Sequence, residues 1–231
     1  MEFLADEGYA SYLLLGKWLY LMVACFVLRQ KYYFAWSLGE LGYLCSGFGF
    51  SGIEKISRKP EYKLAQNFEF FHAEFGTSLK LCIDFWNIST VNWLRECIYE
   101  RVPGKHATLA VFFASAARHG FYPGYYLMFI SLAGFTQVAR MARRVVRPHF
   151  QQSEPLRKAY DIATGVAAMT TLNCCAGAFA LLELSKSWAF WRSVYFLPHL
   201  VALVFYTAFT FKASKRSSIQ SQVAHAVPQN N

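Results

Sequence analysis

The sequence predicts an all-α fold, a multi-pass transmembrane helical bundle, on three observations. Hydrophobic residues make up 55% of the chain and aromatic ones 18%, while only 16% are charged, and the charge gathers in short blocks instead of scattering as in a soluble domain. Apolar stretches recur that are long enough to cross a bilayer, each helical crossing needing roughly 20 residues. Basic residues cluster beside some of these stretches and not others, which is the signature of an oriented membrane protein.

The first span is expected over residues 10–28, interrupted by Lys17, which lies close enough to one end to snorkel its ammonium into the headgroups. It is too long for a signal-peptide core and no small-residue cleavage site follows, so it is expected to remain in the mature protein. The second, over 32–50, contains Glu40 and four glycines, which suits a helix buried among other helices better than one facing lipid. Later spans are expected over 162–182 and 188–211, the latter with Pro198 and His199 near its middle. Five arginines and one lysine against Glu154 between positions 140 and 158, and Lys212, Lys215 and Arg216 after the last span, place both segments on the cytosolic side by the positive-inside bias. The last two spans then form a hairpin that turns near 185–188. Residues 1–211 are expected to be one membrane domain and 212–231 a disordered cytosolic tail.

The formal charge of +9 is read as this topology signal, with some attraction to anionic lipid, and calls for no nucleic acid. The six cysteines have no CxxC spacing and mostly lie in apolar segments, so neither a disulfide nor a metal site is expected.

Between these spans the pattern changes. Leu64, Phe68, Phe71, Phe75, Leu79, Cys82 and Trp86 recur at steps of three and four, which predicts an amphipathic helix over 64–86 lying in the interface or on the rim of the bundle. A second is predicted over 91–101, capped by Ser89 or Thr90. The corner between them holds Asn87, whose side chain can be structural, a cap, or aimed at a site; Asn87, Ile88 and Ser89 also form a glycosylation sequon.

Residues 107–135 are too long for one comfortable crossing and contain Gly120, Pro123 and Gly124, which predicts two shorter helices joined by a kinked segment. Irregular backbone at membrane depth is tolerated where it is buried in protein or lines a cavity. His119 stands at the mouth of this break. An imidazole there is either a general base or a core histidine bonded to a carbonyl that the break has freed. His199 is read as structural.

The run WNISTVNWLRECIYERVP (86–103) followed by HGFYPGYY (119–126), with KYYFAW (31–36) and SGFGF (46–50) upstream, resembles the membrane-bound O-acyltransferase family, and within it the lysophospholipid acyltransferase branch. The resemblance implies an all-helical fold around a tunnel, partial in this chain, with Asn87 and His119 as the active-site pair. It also implies acyl transfer from acyl-CoA, a co-substrate, to the free hydroxyl of a lysophospholipid in the endoplasmic reticulum membrane, with no metal, cofactor or covalent acyl-enzyme. Two departures accompany it. Arg118 stands where the family usually has Trp before the histidine, and the chain resembles a C-terminal half, as expected of a fragment or shortened form. The alternatives are a non-catalytic membrane protein of the same fold and an acyltransferase of the family acting on another acceptor.

Overall fold

The computed structural model describes residues 1–56 and 58–226. Its helices are α1 (Glu7–Ser11), α2 (Leu14–Cys45), α3 (Phe70–Phe75), α4 (Leu79–Trp86), α5 (Ile88–Leu94), α6 (Ala107–His119), α7 (Pro123–Val145), α8 (Glu154–Leu181), α9 (Leu184–Ser193) and α10 (Leu197–Ala226). A two-residue hairpin, β1 (Gly52–Ile53) against β2 (Pro60–Glu61), sits in the connection after α2. By length and apolarity α8 is suited to cross a membrane, and α9 with α10 as far as Phe211 counts as a second crossing if that bent pair is one span.

Helix α8 is the centre of the packing. Its adjacent Cys174 and Cys175 are both fully buried but point into different clusters. Cys174 joins Leu4, Tyr9, Leu21, Phe190 and Trp191, whereas Cys175 joins Leu79, Phe112, Leu132 and Phe135. Two neighbouring residues on a helix are about 100° apart around its axis, so one helix can seal two cores at once.

The two spans expected over 10–28 and 32–50 are instead one continuous helix of 32 residues, α2. At about 1.5 Å per residue it is roughly 48 Å long, which exceeds a hydrocarbon core of about 30 Å. Arg29, Gln30 and Lys31, which separate the two apolar stretches, are all good helix formers, and Arg29 does not need water. Its Nε donates to Glu74 Oε1 at 2.6 Å, its Nη2 to Glu74 Oε2 at 2.7 Å and its Nη1 to Asn173 Oδ1 at 2.5 Å. The Tyr33 hydroxyl donates to Glu74 Oε1 at 2.7 Å. Glu74 is 6% exposed and Asn173 1%, so the pair joins α2, α3 and α8 inside the protein.

The amphipathic helix expected over 64–86 is divided. Glu69 caps α3 by accepting the N–H groups of Phe71 and His72, and Ser78 starts α4 afresh by accepting from Leu81. Between them Gly76 ends the first piece, which leaves α3 free to turn Glu74 inward. The second amphipathic helix begins at Ile88, not Val91, and its cap is Asn87, not Ser89 or Thr90; a π turn over Arg95–Tyr99 continues it.

Lys17 also departs from expectation. It is 4% exposed and its ammonium donates to the Ser193 carbonyl at 2.9 Å, at the end of α9, in place of snorkelling to the headgroups. A cation there meets the negative end of the helix dipole.

The hairpin near the C-terminus turns at Leu182 and Glu183, and residues 185–188 lie within α9. The span expected over 188–211 is bent by 76°, with Tyr195 and Phe196 at φ of 57° and 51°. The bend precedes Pro198, which falls in the first turn of α10, where a missing N–H costs no helical bond. Helix α10 continues to Ala226, so residues 212–226 are helical where a disordered tail was expected; 227–231 lie outside the described residues.

Breaking the buried ion pair leaves an uncompensated charge. Arg29→Met is expected to cost about 3–5 kcal/mol. Thermal unfolding in detergent should show a smaller loss for Arg29→Met combined with Glu74→Leu than for Arg29→Met alone.

Candidate active site

The apolar segment 107–135 does break where the sequence predicts. Helix α6 ends at His119, Gly120 follows at a φ of 124°, and α7 starts at Pro123. That φ is open to glycine and strained for other residues. Proline at the first helical position gives up an N–H that would have no partner there. The break is held by a hydrogen bond from the Gly124 N–H to the Leu182 carbonyl at 2.7 Å, joining the start of α7 to the end of α8. A side chain at Gly124 would meet Ala178 O and lie 2.9 Å from both Leu182 Cα and Leu182 O.

The His119 ring sits among three aromatic rings. It stacks on Phe129 at 5.4 Å between centroids, meets Phe179 edge-on at 5.0 Å and lies 5.7 Å from Tyr125. Among the described residues its ring nitrogens make no hydrogen bond. Of the carbonyls at the end of α6, Ala117 O accepts from Gly120 N, and none bonds to the imidazole among the described residues. The imidazole is held in place by packing and retains a donor and an acceptor.

Arg118 has a partner on a neighbouring helix. Its guanidinium lies over the Trp93 ring, 5.1 Å from the centroid, a cation–π arrangement that ties α6 to α5. An arginine next to His119 is thus accommodated by a tryptophan on a neighbouring helix.

Asn87 occupies the corner between α4 and α5, where its Oδ1 accepts the Thr90 N–H at 3.3 Å. Its amide NH₂ makes no hydrogen bond among the described residues. Asn67 braces the corner: its backbone carbonyl accepts from Ile88 N at 2.8 Å, its side chain accepts from Ser89 N at 3.1 Å, and its own N–H reaches Glu40 on α2 at 2.6 Å. Beneath the corner, Trp86 packs on Tyr32, Tyr33 and Trp36 of α2, with centroids 5.9, 5.2 and 4.8 Å away. The KYYFAW run therefore supplies the rings on which the corner rests.

No hydrogen bond joins Asn87 to His119 among the described residues. Aromatic side chains lie on both sides of the interval between them. Trp86 touches Tyr32, Tyr32 is in electrostatic reach of Tyr125, and Tyr125 touches His119. His199 sits elsewhere, its Nε2 3.2 Å from Ser131 Oγ and its ring 4.5 Å from Trp191, so it joins α10 to α7 and α9. Among the described residues no three His, Cys, Asp or Glu side chains converge to hold a metal ion.

Sequence reasoning passed over Arg29, Glu74, Asn173 and Asn67. The first two carried a usable signal, because charges bordering apolar stretches of a membrane protein are rare and seldom unpaired. The two asparagines carried none.

An all-helical chain with an unbonded histidine at the break of an apolar helix and a braced asparagine corner between two short helices is the arrangement of a helical membrane protein. A family model described as MBOAT, membrane-bound O-acyltransferase family, matches residues 1–181, and the chain belongs to that family. It is 33% identical over 238 residues to the lysophospholipid acyltransferase of Schizosaccharomyces pombe, covering 98% of this chain and 46% of that protein. It is 38% identical over 188 residues to lysophospholipid acyltransferase 6 of Drosophila melanogaster, covering 81% of this chain and 26% of that protein. To membrane-bound glycerophospholipid O-acyltransferase 1 of Mus musculus it is 34% identical over 205 residues, covering 88% of this chain and 41% of that protein. The chain thus spans less than half the length of these curated relatives.

Two outcomes test this geometry. Gly124→Ala is expected to destabilise the fold by about 1–3 kcal/mol, since the added methyl meets backbone and not a movable side chain; denaturation in detergent measures it. Trp93→Ala should remove about 0.5–1 kcal/mol of cation–π attraction, the range for an exposed pair, and a double-mutant cycle with Arg118→Met should return a coupling of that size.

Proposed function

We propose that this chain carries the acyl-transfer site of a lysophospholipid O-acyltransferase, in a multi-pass protein of the endoplasmic reticulum membrane that takes acyl-CoA as co-substrate and uses no metal or cofactor. The observation that carries the reading is the His119 imidazole, fixed by three rings at a helix break with both nitrogens unbonded. Family membership and the names of the three relatives support the same reaction class.

In this reading the lysophospholipid hydroxyl attacks the thioester carbonyl while His119 accepts its proton. The carbonyl electron pair moves to oxygen, and the unbonded amide of Asn87 stabilises that charge or orients the acceptor. Collapse of the tetrahedral intermediate breaks the carbon–sulfur bond. The proton held on His119 passes to the departing thiolate, giving diacyl phospholipid and free CoA. The second reading, a non-catalytic protein with the family's packing, rests on Arg118 beside the histidine.

Microsomes expressing the full chain, given labelled acyl-CoA and a panel of lysophospholipids, distinguish the two. His119→Ala is expected to lower transfer by at least about 100-fold, the lower end of what a general base contributes, with the protein still inserted. Absence of transfer above background by the parent would favour the non-catalytic reading. Because Arg118 has its own partner in Trp93, Arg118→Trp is expected not to raise activity.

A further inference from the structure

Helix α9, the end of α1 and the first turn of α2 border an open surface cavity of about 380 Å³. Lys17, Arg192, Ser185, Ser193, Trp188 and Tyr195 line it, and no carboxylate does. Lys17 is the unusual member. A lysine 4% exposed carries three donors, and this ammonium has one hydrogen-bonded acceptor, the Ser193 carbonyl at 2.9 Å, beside the Tyr195 ring at 6.0 Å. No carboxylate lies within ion-pair distance of it among the described residues, whereas buried ammonium groups are ordinarily paired.

The end of α9 contributes a partial negative charge of about half a unit, which does not balance two cations. Arg192, one residue before Ser193, also makes no hydrogen bond or ion pair among the described residues. Of the carboxylates on the bordering elements, Glu183 is engaged by Lys186 at 2.8 Å, Asp6 accepts the Gly8 N–H at 2.7 Å, and Glu7 at the start of α1 is not in the wall. Two cations therefore face one cavity with part of their charge uncompensated, and their donor set, an ammonium and a planar guanidinium, suits phosphate oxygens.

The rim indicates where the phosphate comes from. Trp188 is 54% exposed and Tyr195 67%, the residue types that settle at the level of lipid headgroups, and Leu184 and Leu197 are exposed beside them. We infer that the Lys17–Arg192 cavity binds the phosphate of a glycerophospholipid headgroup, at a site separate from the acyl-transfer centre. Neither His119 nor Asn87 is in its wall, and the inference does not depend on the reaction assigned to them.

The test uses the full chain, delipidated in a neutral maltoside detergent and titrated with dioctanoyl phosphatidic acid, with binding followed by tryptophan fluorescence. Arg192 is exposed and without a partner among the described residues, so Arg192→Gln is expected to fold with an unchanged melting temperature. It should bind about tenfold more weakly, as loss of a charge-assisted contact implies, while Arg192→Lys retains most of the affinity. The fluorescence change should be lost in Trp188→Phe. Equal affinity in parent and Arg192→Gln, or equal binding of uncharged dioctanoylglycerol, would overturn the inference. Full displacement by inorganic phosphate or by CoA at the concentration of the lipid would overturn the headgroup assignment in favour of a free phosphate.

Discussion

The Arg29–Glu74 pair is the constraint around which the rest of the molecule is arranged. A bidentate contact between a guanidinium and a carboxylate needs both planes aligned, and at 6% exposure for Glu74 the carboxylate has little water to fall back on. Satisfying the pair requires three helices at once, because Asn173 on α8 takes the remaining guanidinium edge and Tyr33 on α2 completes the carboxylate. It lets α2 carry an arginine through its middle without a break. It also requires α3 to be short and separately oriented, which the Glu69 cap and Gly76 provide. The aromatic rings on Trp86 stack on the same stretch of α2, so the Asn87 corner is placed relative to α8 by this buried charge.

A second constraint, the bond between Gly124 and Leu182, does the same for the histidine. Glycine at 124 lets the start of α7 approach the end of α8 closely enough for backbone to meet backbone, and the φ of Gly120 turns the chain between the two halves of the broken segment. What remains for His119 is a position defined by rings instead of hydrogen bonds. Such packing fixes where the imidazole is and leaves its nitrogens available, which is what proton transfer needs. Arg118, the departure from the family pattern, lies over Trp93 of α5.

Family membership rests on residues 1–181, and the curated relatives extend well beyond what this chain aligns to. The physical content of the chain is consistent with that. Its two buried clusters and its buried ion pair are formed among the described residues, while the surface cavities beside α9 have neither His119 nor Asn87 in their walls.

Composition and motif content alone determined the all-helical membrane class, the break after His119 and the family. These are legible because the bilayer imposes helices on long apolar stretches, because glycine and proline act locally on the backbone, and because a motif is a string. The sequence also brought Asn87 and His119 forward together, through their motifs and not through any contact visible in the chain. Only the tertiary structure decided that 10–28 and 32–50 are one helix, that 64–86 is two, that Lys17 is buried and that α10 runs to Ala226. Each of the first three turns on a partner distant in sequence: Glu74 for Arg29, α8 for the inward face of α3, Ser193 for Lys17. A charge in an apolar stretch reads as an end or an interruption until its partner is known, and no local pattern names a partner that arrives from another helix.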